Sequence, residues 1–301
     1  MNDTFAVDEF GALTRVVLKP IRHAFVDQRV VDAEWRALNF TARPDFERAL
    51  CEYDQFAEAI ASTGAQVLTL PPASGVGLDS IYVRDASIVT PHGVVLCGMG
   101  KAQRQGEPAA QQAAYEAWGV TVAGAIEPPG QVEGGDLVWL DRQTVVAGRG
   151  YRTNDEGLRQ LRALLGDAVE LVVVPLPHWK GPSDVFHLMS IISPVDADLA
   201  VVYSPLLPVP FREWLGARGI TLVEVPDEEF ELMGANVLAL GPRRCLMVQG
   251  CPTTRARLER AGADVRVYAG TEISLKGGGG PTCLTRPLGR NPSVAGTSGR
   301  R

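Results

Sequence analysis

One cysteine follows a run of four glycines near the end of this chain, and its thiol is a candidate nucleophile. Residues 276–288 read KGGGGPTCLTRPL, which places the thiol at Cys283. Glycine permits turns with positive φ and the close approach of other groups, so the run could hold this side chain at the mouth of a pocket. The thiolate is the attacking form of cysteine, and it requires a neighbouring cation or base. The alternative is a turn before a last strand, with Cys283 as an ordinary buried residue.

The histidines and acids of the chain supply partners for such a thiol. His187 could assist it and then protonate a leaving group, because the unperturbed pKa of histidine lies nearest neutrality. Carboxylates beside a cysteine raise its pKa, so acids in the same pocket make sense for a substrate that is itself a cation. A planar guanidinium would pair in bidentate fashion with Asp85 or Glu133, cancel their charge and favour the thiolate.

The elements that must position these residues repeat along the chain. A β-hairpin, a polar corner, a helix and a closing strand recur roughly every 50 residues, five times when an incomplete N-terminal section is counted. Such periods are typical of radial arrays, because one ββαβ unit cannot bury its own apolar faces whereas neighbours in a ring can. The sequence therefore predicts a single α/β domain over residues 1–288, a propeller with five-fold pseudosymmetry. The alternative is a chance alternation of strands and helices in a doubly wound domain.

Equivalent positions in a radial array converge on one end of its axis. Asp85 opens one unit, a Glu-Gly-Gly-Asp run from Glu133 to Asp136 opens the next, and His187 opens the one after. Cys283 lies where the last unit returns to the first. We therefore expect these five side chains to meet in one pocket.

Two arginines occupy matching places in consecutive units. Arg104 and Arg152 both lie between the second hairpin strand and the helix of their unit. This equivalence predicts that both point at the pocket from its rim, where a guanidinium suits a carboxylate. Acids for a cationic head and arginines for a carboxylate tail together indicate an arginine-like small molecule as the substrate. The alternative for each arginine is a solvated surface charge.

The composition argues against several classes of function. The formal net charge is -6, without a cluster of Lys and Arg, so we expect no nucleic-acid partner. No apolar run approaches the roughly 20 residues of a spanning helix, and the N-terminus lacks the apolar stretch of a secretory signal, so we expect a cytoplasmic protein and no membrane partner. Five scattered cysteines predict no disulfide framework, and four histidines without a CxxC motif or a helical His pair predict no metal cofactor.

Several motifs together resemble a known family. They are residues 78–85, 104–107, 133–136, 152–154 and 187–188, and the glycine-rich cysteine segment. In order and spacing this set is similar to the guanidino-modifying enzymes of the pentein fold, which include dimethylarginine dimethylaminohydrolases, arginine deiminases and amidinotransferases. The resemblance runs from about Leu13 to Leu288, nearly the whole chain.

The resemblance implies a pseudo-fivefold propeller of ββαβ units and a cysteine that attacks the guanidine carbon. The implied roles are Cys283 as nucleophile, His187 as general acid and base, Asp85 and Glu133 as guanidinium-binding carboxylates, Arg104 and Arg152 as the α-carboxylate clamp, and Asp79 as a contact to the α-amino group. We further expect Glu133 to belong to the catalytic set with Cys283 and His187, and Asp136 to bind the substrate. The implied path passes through a tetrahedral adduct, loss of an amine, an S-alkylthiouronium intermediate and attack by water. It requires no metal or organic cofactor.

Two positions depart from the family pattern. Arginine deiminases carry a second acid two residues after the catalytic histidine, where this chain has Met189; the change argues against a plain deiminase and leaves room for a substituted nitrogen. Dimethylarginine enzymes usually carry an acid just before the matched aspartate, where this chain has Arg84, a pattern closer to deiminases. The expected reaction is hydrolysis of Nω-methylated arginine, dimethylarginine or monomethylarginine, to citrulline and an alkylamine.

Other interpretations stay open. Arginine deiminase or amidinotransferase action on arginine or another guanidino acid is the alternative among enzymes, and a catalytically inactive propeller that binds a partner is the alternative outside them. The oligomeric state is open, a homodimer included. Residues 21–43 are expected to be irregular, as a lid or an insertion, and residues 289–301, rich in Gly, Ser, Pro and Arg, as a disordered tail.

Overall fold

The computed structural model describes Phe5 and residues 8–182, 184 and 186–291. Over these residues the strands are β1 (Ala12–Leu18), β2 (Gln66–Thr69), β3 (Ser87–Thr90), β4 (Gly93–Leu96), β5 (Val122–Ala125), β6 (Leu137–Asp141), β7 (Thr144–Arg149), β8 (Glu170–Pro175), β9 (Ile192–Asp196), β10 (Leu199–Val202), β11 (Thr221–Glu224), β12 (Leu238–Gly241), β13 (Arg244–Val248), β14 (Asp264–Tyr268) and β15 (Arg286–Asn291). The α-helices are α1 (Ile21–Ala24), α2 (Gln28–Glu34), α3 (Phe46–Ala61), α4 (Glu107–Ala117), α5 (Asp155–Leu165), α6 (Val209–Ala217), α7 (Asp227–Phe230) and α8 (Pro252–Arg260).

The strands in this part of the chain form five three-stranded sheets with one common plan. The first strand pairs antiparallel with the second, and the third strand, reached through a helix, pairs parallel with the second. The sheets and their helices are β15-β1-β2 with α3, β3-β4-β5 with α4, β6-β7-β8 with α5, β9-β10-β11 with α6, and β12-β13-β14 with α8. The repeated order of hairpin, helix and strand predicted from the sequence is thereby confirmed.

The first sheet is completed by the end of the chain. β15 pairs antiparallel with β1, and Ala12 lies opposite Asn291. The predicted boundary at residue 288 is therefore wrong: residues 289–291 belong to this strand, and the predicted tail over 292–301 lies outside the described residues. The Gly, Ser, Pro and Arg content of residues 289–301 suggested a disordered tail, but β1 needs an antiparallel partner, which residues 286–291 supply. Arg290 is also held in place by hydrogen bonds from Nη1 to the carbonyls of Gly11 (2.6 Å) and Ala239 (2.9 Å).

Apolar clusters join each unit to the next. The central strands are buried on both faces, so their branched side chains pack between sheets and hold them together. Pairs that share a cluster across successive unit boundaries are Val17 with Val89, Ile88 with Trp139, Val138 with Val195, Val201 with Met247, and Leu246 with Val16. This packing brings the loops that precede the first strand of each unit toward a common region.

The segment expected to be irregular, residues 21–43, contains the short helices α1 and α2. Asp27 caps α2 by accepting hydrogen bonds from the backbone N–H groups of Arg29 and Val30. Farther along, the N–H of Thr41 donates to the carbonyl of Lys276 at 2.8 Å, which joins the segment to the cysteine loop. A lid function for this segment stays a prediction. Among the described helices, none combines the length and apolarity required to cross a bilayer.

Candidate active site

The cysteine loop begins with a single π-helical turn, Thr271–Leu275, that is anchored to α3. Glu52 of α3 accepts hydrogen bonds from the first three N–H groups of the turn, at 2.7 to 3.2 Å. In return Glu272 accepts from the N–H of Asp45, the residue that caps the start of α3, at 2.8 Å. The two buried carboxylates thus accept from N–H groups at the start of each other's helix, groups that have no partner within the helix itself, and so fix where the loop starts.

The glycine run is required by close packing. Gly277 and Gly279 lie against the ring of Tyr82, and a β-carbon at either position would overlap ring atoms. Gly278 has a φ of 77°, which favours glycine, and the hydroxyl of Tyr82 donates to the carbonyl of Ile273 at 3.0 Å. The run therefore lets the backbone pass over an aromatic ring and present the thiol at a set position.

Cys283 is buried, with 9 % of its surface exposed. Nδ2 of Asn236 lies 3.5 Å from its Sγ, while Oδ1 of Asn236 accepts from the N–H and hydroxyl of Thr282 at 3.0 and 2.9 Å. Burial and the negative charge of Asp85 raise the pKa of the thiol, and the hydrogen bonds from Thr282 and Asn236 lower it in part. The thiol is therefore protonated at rest and needs an additional positive charge nearby to ionise. Asn236 was not identified from the sequence, because it lies at the start of another unit without a matching acid.

Gly135 allows Asp85, Glu133 and His187 to lie close together. A β-carbon at Gly135 would lie 2.5 Å from Nδ1 of His187 and 2.7 Å from Oδ1 of Asp85, so only glycine admits both. Nε2 of His187 is 2.8 Å from Oε2 of Glu133, and its Nδ1 is 3.8 Å from Oδ1 of Asp85. The predicted meeting of Asp85, Glu133 and His187 is confirmed, and Cys283 lines the same cavity as His187.

The histidine and its glutamate form a buried ion pair. Burial lowers the pKa of His187, but the negative charges of Asp85, Asp136 and Glu133 outweigh it and raise the pKa to about 9. Burial opposes ionisation of Glu133, yet the hydrogen bond and charge of His187, with Arg152 and Arg104, hold its pKa well below the usual range. Near neutral pH the pair is an imidazolium and a carboxylate, so His187 is in the form that can donate a proton.

Asp136 lies behind the histidine and supports it. Its Oδ1 accepts from the N–H of Leu188 at 3.0 Å and its Oδ2 accepts from the hydroxyl of Thr153 at 2.6 Å. Burial raises its pKa to about 6. The prediction that Asp136 binds the substrate is corrected, because this fully buried side chain bonds the backbone that carries His187 and does not line the cavity.

Arg104 is not a free cation at the rim. Its Nη1 pairs with Oδ2 of Asp85 at 2.6 Å, and its Nε and Nη2 bind Glu107 at 2.9 and 2.8 Å. Nη2 also donates to the carbonyl of Tyr82 at 2.9 Å. Arg104 lines a small cavity with His187 and Cys283, but its side chain is buried and holds Asp85 in place instead of standing free at the rim. Its part in an α-carboxylate clamp stays a prediction.

Arg152 and Asp79 also have partners within the protein. Nη1 of Arg152 lies 3.3 Å from both carboxylate oxygens of Glu133. Asp79 pairs with Nζ of Lys101 at 2.6 Å, and the backbone N–H of Lys101 donates to Glu133 at 3.2 Å. Lys101 was missed from the sequence, although it opens the polar corner that contains Arg104. The carboxylate-binding role of Arg152 and the amino-group contact of Asp79 stay predictions.

Arg84, noted above only as a departure from the family pattern, connects the cysteine loop to the loop that contains Asp85. Its Nε donates to the carbonyl of Thr282 at 2.9 Å, and its backbone N–H donates to the carbonyl of Cys283 at 3.1 Å. Its Nη1 pairs with Glu9 at 3.1 Å. Through these bonds the residue before Asp85 fixes the backbone on both sides of the thiol, a role that the sequence did not reveal.

The cavity in front of the thiol has a volume of about 190 Å³. His187, Asn236 and Cys283 line its inner part, and Met189 stands where the deiminase pattern has an acid. Its outer wall contains the aromatic residues Trp179, Phe186 and Phe230. Lys180 and Glu231, paired at 2.7 Å, also line it. Asn39 and Thr41, which follow α2, complete the wall. Polar groups beside the thiol, together with aromatic side chains in the same cavity, suit a cationic head on an alkyl chain.

One group of residues in the described part of the chain has the composition of a metal site. Ligand atoms of Asp85, Glu133 and His187 all lie within 4.8 Å of one another. Because Nε2 of His187 and Oε2 of Glu133 already bond each other, a metal at this place would have to replace that hydrogen bond. The arrangement suits proton transfer better than metal binding.

Comparisons with known proteins place the chain in a family. The family model for arginine deiminase matches residues 79–210 and 205–290. An N(G),N(G)-dimethylarginine dimethylaminohydrolase of Streptomyces coelicolor is 32% identical over 245 residues, 80% of this chain and 86% of the relative. The solved dimethylarginine dimethylaminohydrolase of Pseudomonas aeruginosa with citrulline has a TM-score of 0.73 at 22% identity, over 91% of this chain and 98% of that one. The N-terminal domain of ArgZ, an arginine dihydrolase from cyanobacteria, has a TM-score of 0.77 at 24% identity, over 92% of this chain and 97% of that one. The chain therefore belongs to the arginine deiminase family, within the pentein superfamily of guanidino-modifying enzymes.

Proposed function

We propose that this protein is a cysteine-dependent hydrolase of guanidino compounds, with Nω-methylated arginine as its substrate class and citrulline and an alkylamine as products. The observation that carries the proposal is the state of Asp85. Its Oδ2 is held by Arg104, while its Oδ1 is buried and has no hydrogen-bond donor within the described residues. A guanidinium N–H beside the thiol would supply that donor.

Substrate binding would also switch on the nucleophile. The pKa of the Cys283 thiol is raised partly by Asp85, so a cation placed against Asp85 removes that effect. The thiol proton leaves to water, and the thiolate attacks the guanidine carbon as the π electrons move onto a nitrogen. The result is a neutral tetrahedral adduct beside the imidazolium of His187.

His187 then serves twice. As an acid it gives its proton to the departing nitrogen, so the carbon–nitrogen bond breaks and a cationic S-alkylthiouronium remains. Neutral His187, still bonded to Glu133, takes a proton from water, and the hydroxide attacks the thiouronium carbon. When the carbon–sulfur bond breaks, the new hydroxyl gives its proton to the sulfur. The product is the ureido compound, with Cys283 as thiol and His187 again protonated.

The arrangement of the five sheets supports this assignment. We infer that the five sheets form a propeller with five-fold pseudosymmetry, because apolar clusters join every unit to the next and the fifth to the first. The loops that contain Asp85, Glu133, His187 and Cys283 then meet at one end of the axis. A scaffold that only bound a partner would have no need for this set of residues in one cavity.

The test is turnover of dimethylarginine, monomethylarginine and arginine, each incubated separately while citrulline, alkylamine and ammonia are measured. Alkylamine and citrulline in equal amounts support the proposal, and faster ammonia release from arginine would identify a deiminase instead. Cys283→Ser should abolish turnover, while Cys51→Ser, on the exposed side of α3, should not. No product from any of the three, together with no adduct on the Cys283 thiol, would refute the proposed function.

A further inference from the structure

Three buried arginines form a second charged cluster behind the cysteine loop. Arg84, Arg286 and Arg290 are exposed by 1 %, 5 % and 5 %, respectively. Arg286 donates from Nη2 to the backbone carbonyl of Arg84, and Arg84 pairs with Glu9 at 3.1 Å. Arg290 uses Nη1 for the carbonyls of Gly11 and Ala239. The cluster joins β15 to the loops before β1 and β3.

The positive charge of this cluster exceeds its negative charge. Within the described residues Glu9 is the carboxylate that pairs with any of the three arginines, so three guanidinium groups share one acid. Burial, and then the charge of Arg84, lower the pKa of Arg286 to about 10; burial lowers that of Arg290 to about 10 although Glu9 and Asp8 raise it. Backbone carbonyls satisfy hydrogen bonds but cannot cancel charge, so the cluster stays electrostatically unbalanced.

Several donors of the cluster also lack acceptors. Nη2 of Arg84, Nε of Arg286, and both Nε and Nη2 of Arg290 are buried without a hydrogen-bond partner in the described part of the chain. Buried guanidinium donors are normally paired, because leaving a charged donor unsatisfied is more costly than leaving a neutral one. Unpaired donors on three buried cations that interact electrostatically through Arg84 therefore point to an acceptor that carries negative charge.

The size of that acceptor is limited by its surroundings. Gly134 packs so closely that a β-carbon there would lie 2.5 Å from Nη2 of Arg286. Arg84 is among the largest fully buried side chains, and Val17, Val83 and Leu288 fill an adjoining apolar cluster. A halide-sized ion suits such packing, whereas a phosphate ester would need an open path to solvent.

We propose that Arg84, Arg286 and Arg290 bind a small monovalent inorganic anion, with chloride as the ligand. The anion accepts from the four unpaired nitrogens, offsets one of the two excess charges and reduces repulsion among the guanidinium groups. Because Arg84 also holds the carbonyls on both sides of the thiol, the bound anion stabilises the position of the cysteine loop. The site is separate from the cavity in which the guanidino group is proposed to react.

The first test measures thermal unfolding of the full chain in sodium chloride and in sodium gluconate at the same ionic strength. Chloride should raise Tm saturably, by about 2–3 °C at ten times its Kd, and gluconate should not. Arg290→Met removes two of the unpaired donors and should abolish the chloride-dependent rise. The control Arg255→Met changes an exposed arginine paired with Glu259 and should keep it. Equal Tm values in both salts, or a full chloride effect in Arg290→Met, would overturn the proposal.

A second measurement does not depend on the variant folding. Crystals of the unmodified protein grown or soaked in sodium bromide should show an anomalous bromine peak in contact with Nη2 of Arg84 and Nε of Arg290. Diffraction data with bromine peaks only at exposed side chains would also overturn the proposal. Both measurements use the protein without substrate, so their outcome is independent of whether methylated arginine is turned over.

Discussion

Glu133→Gln tests the idea that His187 enters the reaction as an acid. The substitution keeps the size of the side chain but removes the charge that bonds Nε2 of His187 at 2.8 Å. A hydrogen bond between charged groups contributes about 1.5–3 kcal/mol, which corresponds to about 1–2 units of pKa. The pKa of His187, raised to about 9 in the native site, should therefore fall toward 7–8, because Asp85 and Asp136 still favour the charged form.

The assay is the pH dependence of kcat/KM with the best substrate found above. In the unmodified protein activity should fall as the pH rises through about 9, where His187 loses its proton. In Glu133→Gln this alkaline limb should move to lower pH by about 1–2 units. Glu116→Gln, an exposed change on α4 that affects a pair with Gln112, serves as the control and should leave the limb in place. An unmoved limb in Glu133→Gln, with activity otherwise retained, would refute the assignment of His187 as the acid.

The same ion pair predicts how stability depends on pH. Because folding raises the pKa of His187 from 6.5 to about 9, its contribution is complete below about 6.5 and is lost as the pH rises through about 9. The full shift corresponds to about 3 kcal/mol, and it describes the same interaction that lowers the pKa of Glu133. Urea unfolding between pH 6 and 10 should therefore show a smaller loss of unfolding free energy in Glu133→Gln than in the unmodified protein.

Three further outcomes test the clamp and the support of the loop. Arg152→Ala should lower kcat/KM for arginine-like substrates about 10- to 100-fold more than for simple alkylguanidines, whereas Arg104→Ala should lower both alike; equal losses in Arg152→Ala would refute the carboxylate clamp. Gly279→Ala should lower the free energy of unfolding by about 1–3 kcal/mol in urea, because its β-carbon overlaps a tyrosine ring, while Gly216→Ala in an open helical position should not. Arg84→Gln should slow alkylation of the active-site thiol by iodoacetamide and lower kcat more than it raises KM; unchanged thiol reactivity would contradict its positioning role.

The repeat and the meeting of the main residues could be predicted from the sequence because topology follows from periodicity. Hairpin, helix and strand alternate visibly, and residues that open each unit must meet if the units share an axis. On that basis Asp85, Glu133, His187 and Cys283 are predicted to lie in one pocket, although they lie up to about 200 residues apart in the chain. The structure brings the first three within hydrogen-bonding range or close to it, and places the fourth in the same cavity.

Pairing between charges could not be predicted in the same way. Arg104 and Arg152 occupy equivalent positions, yet one binds Asp85 and Glu107 while the other binds Glu133. Which acid a long side chain reaches depends on distances of a few ångströms between units, and periodicity carries no information on that scale. The predicted boundary at residue 288 cut through the strand at residues 286–291 for a related reason, since its partner β1 lies at the other end of the chain.

The internal pairing of the charges explains how a thiol can be kept among acids. Asp79 is neutralised by Lys101 and Glu133 by His187, while Arg104 occupies one oxygen of Asp85. The remaining oxygen, Oδ1 of Asp85, is buried without a hydrogen-bond donor in the described part of the chain. Burial and then the charge of Asp85 raise the pKa of the Cys283 thiol, and a bound cation would offset the charge. An uncharged urea product gives no such compensation, so it cannot sustain the thiolate. In the proposed mechanism the site distinguishes substrate from product by charge at the thiol of Cys283. Asp85→Asn should therefore make the resting thiol more acidic while weakening guanidinium binding. A thiol pKa that stays unchanged in Asp85→Asn, measured by the pH dependence of iodoacetamide alkylation, would show that this switch is absent.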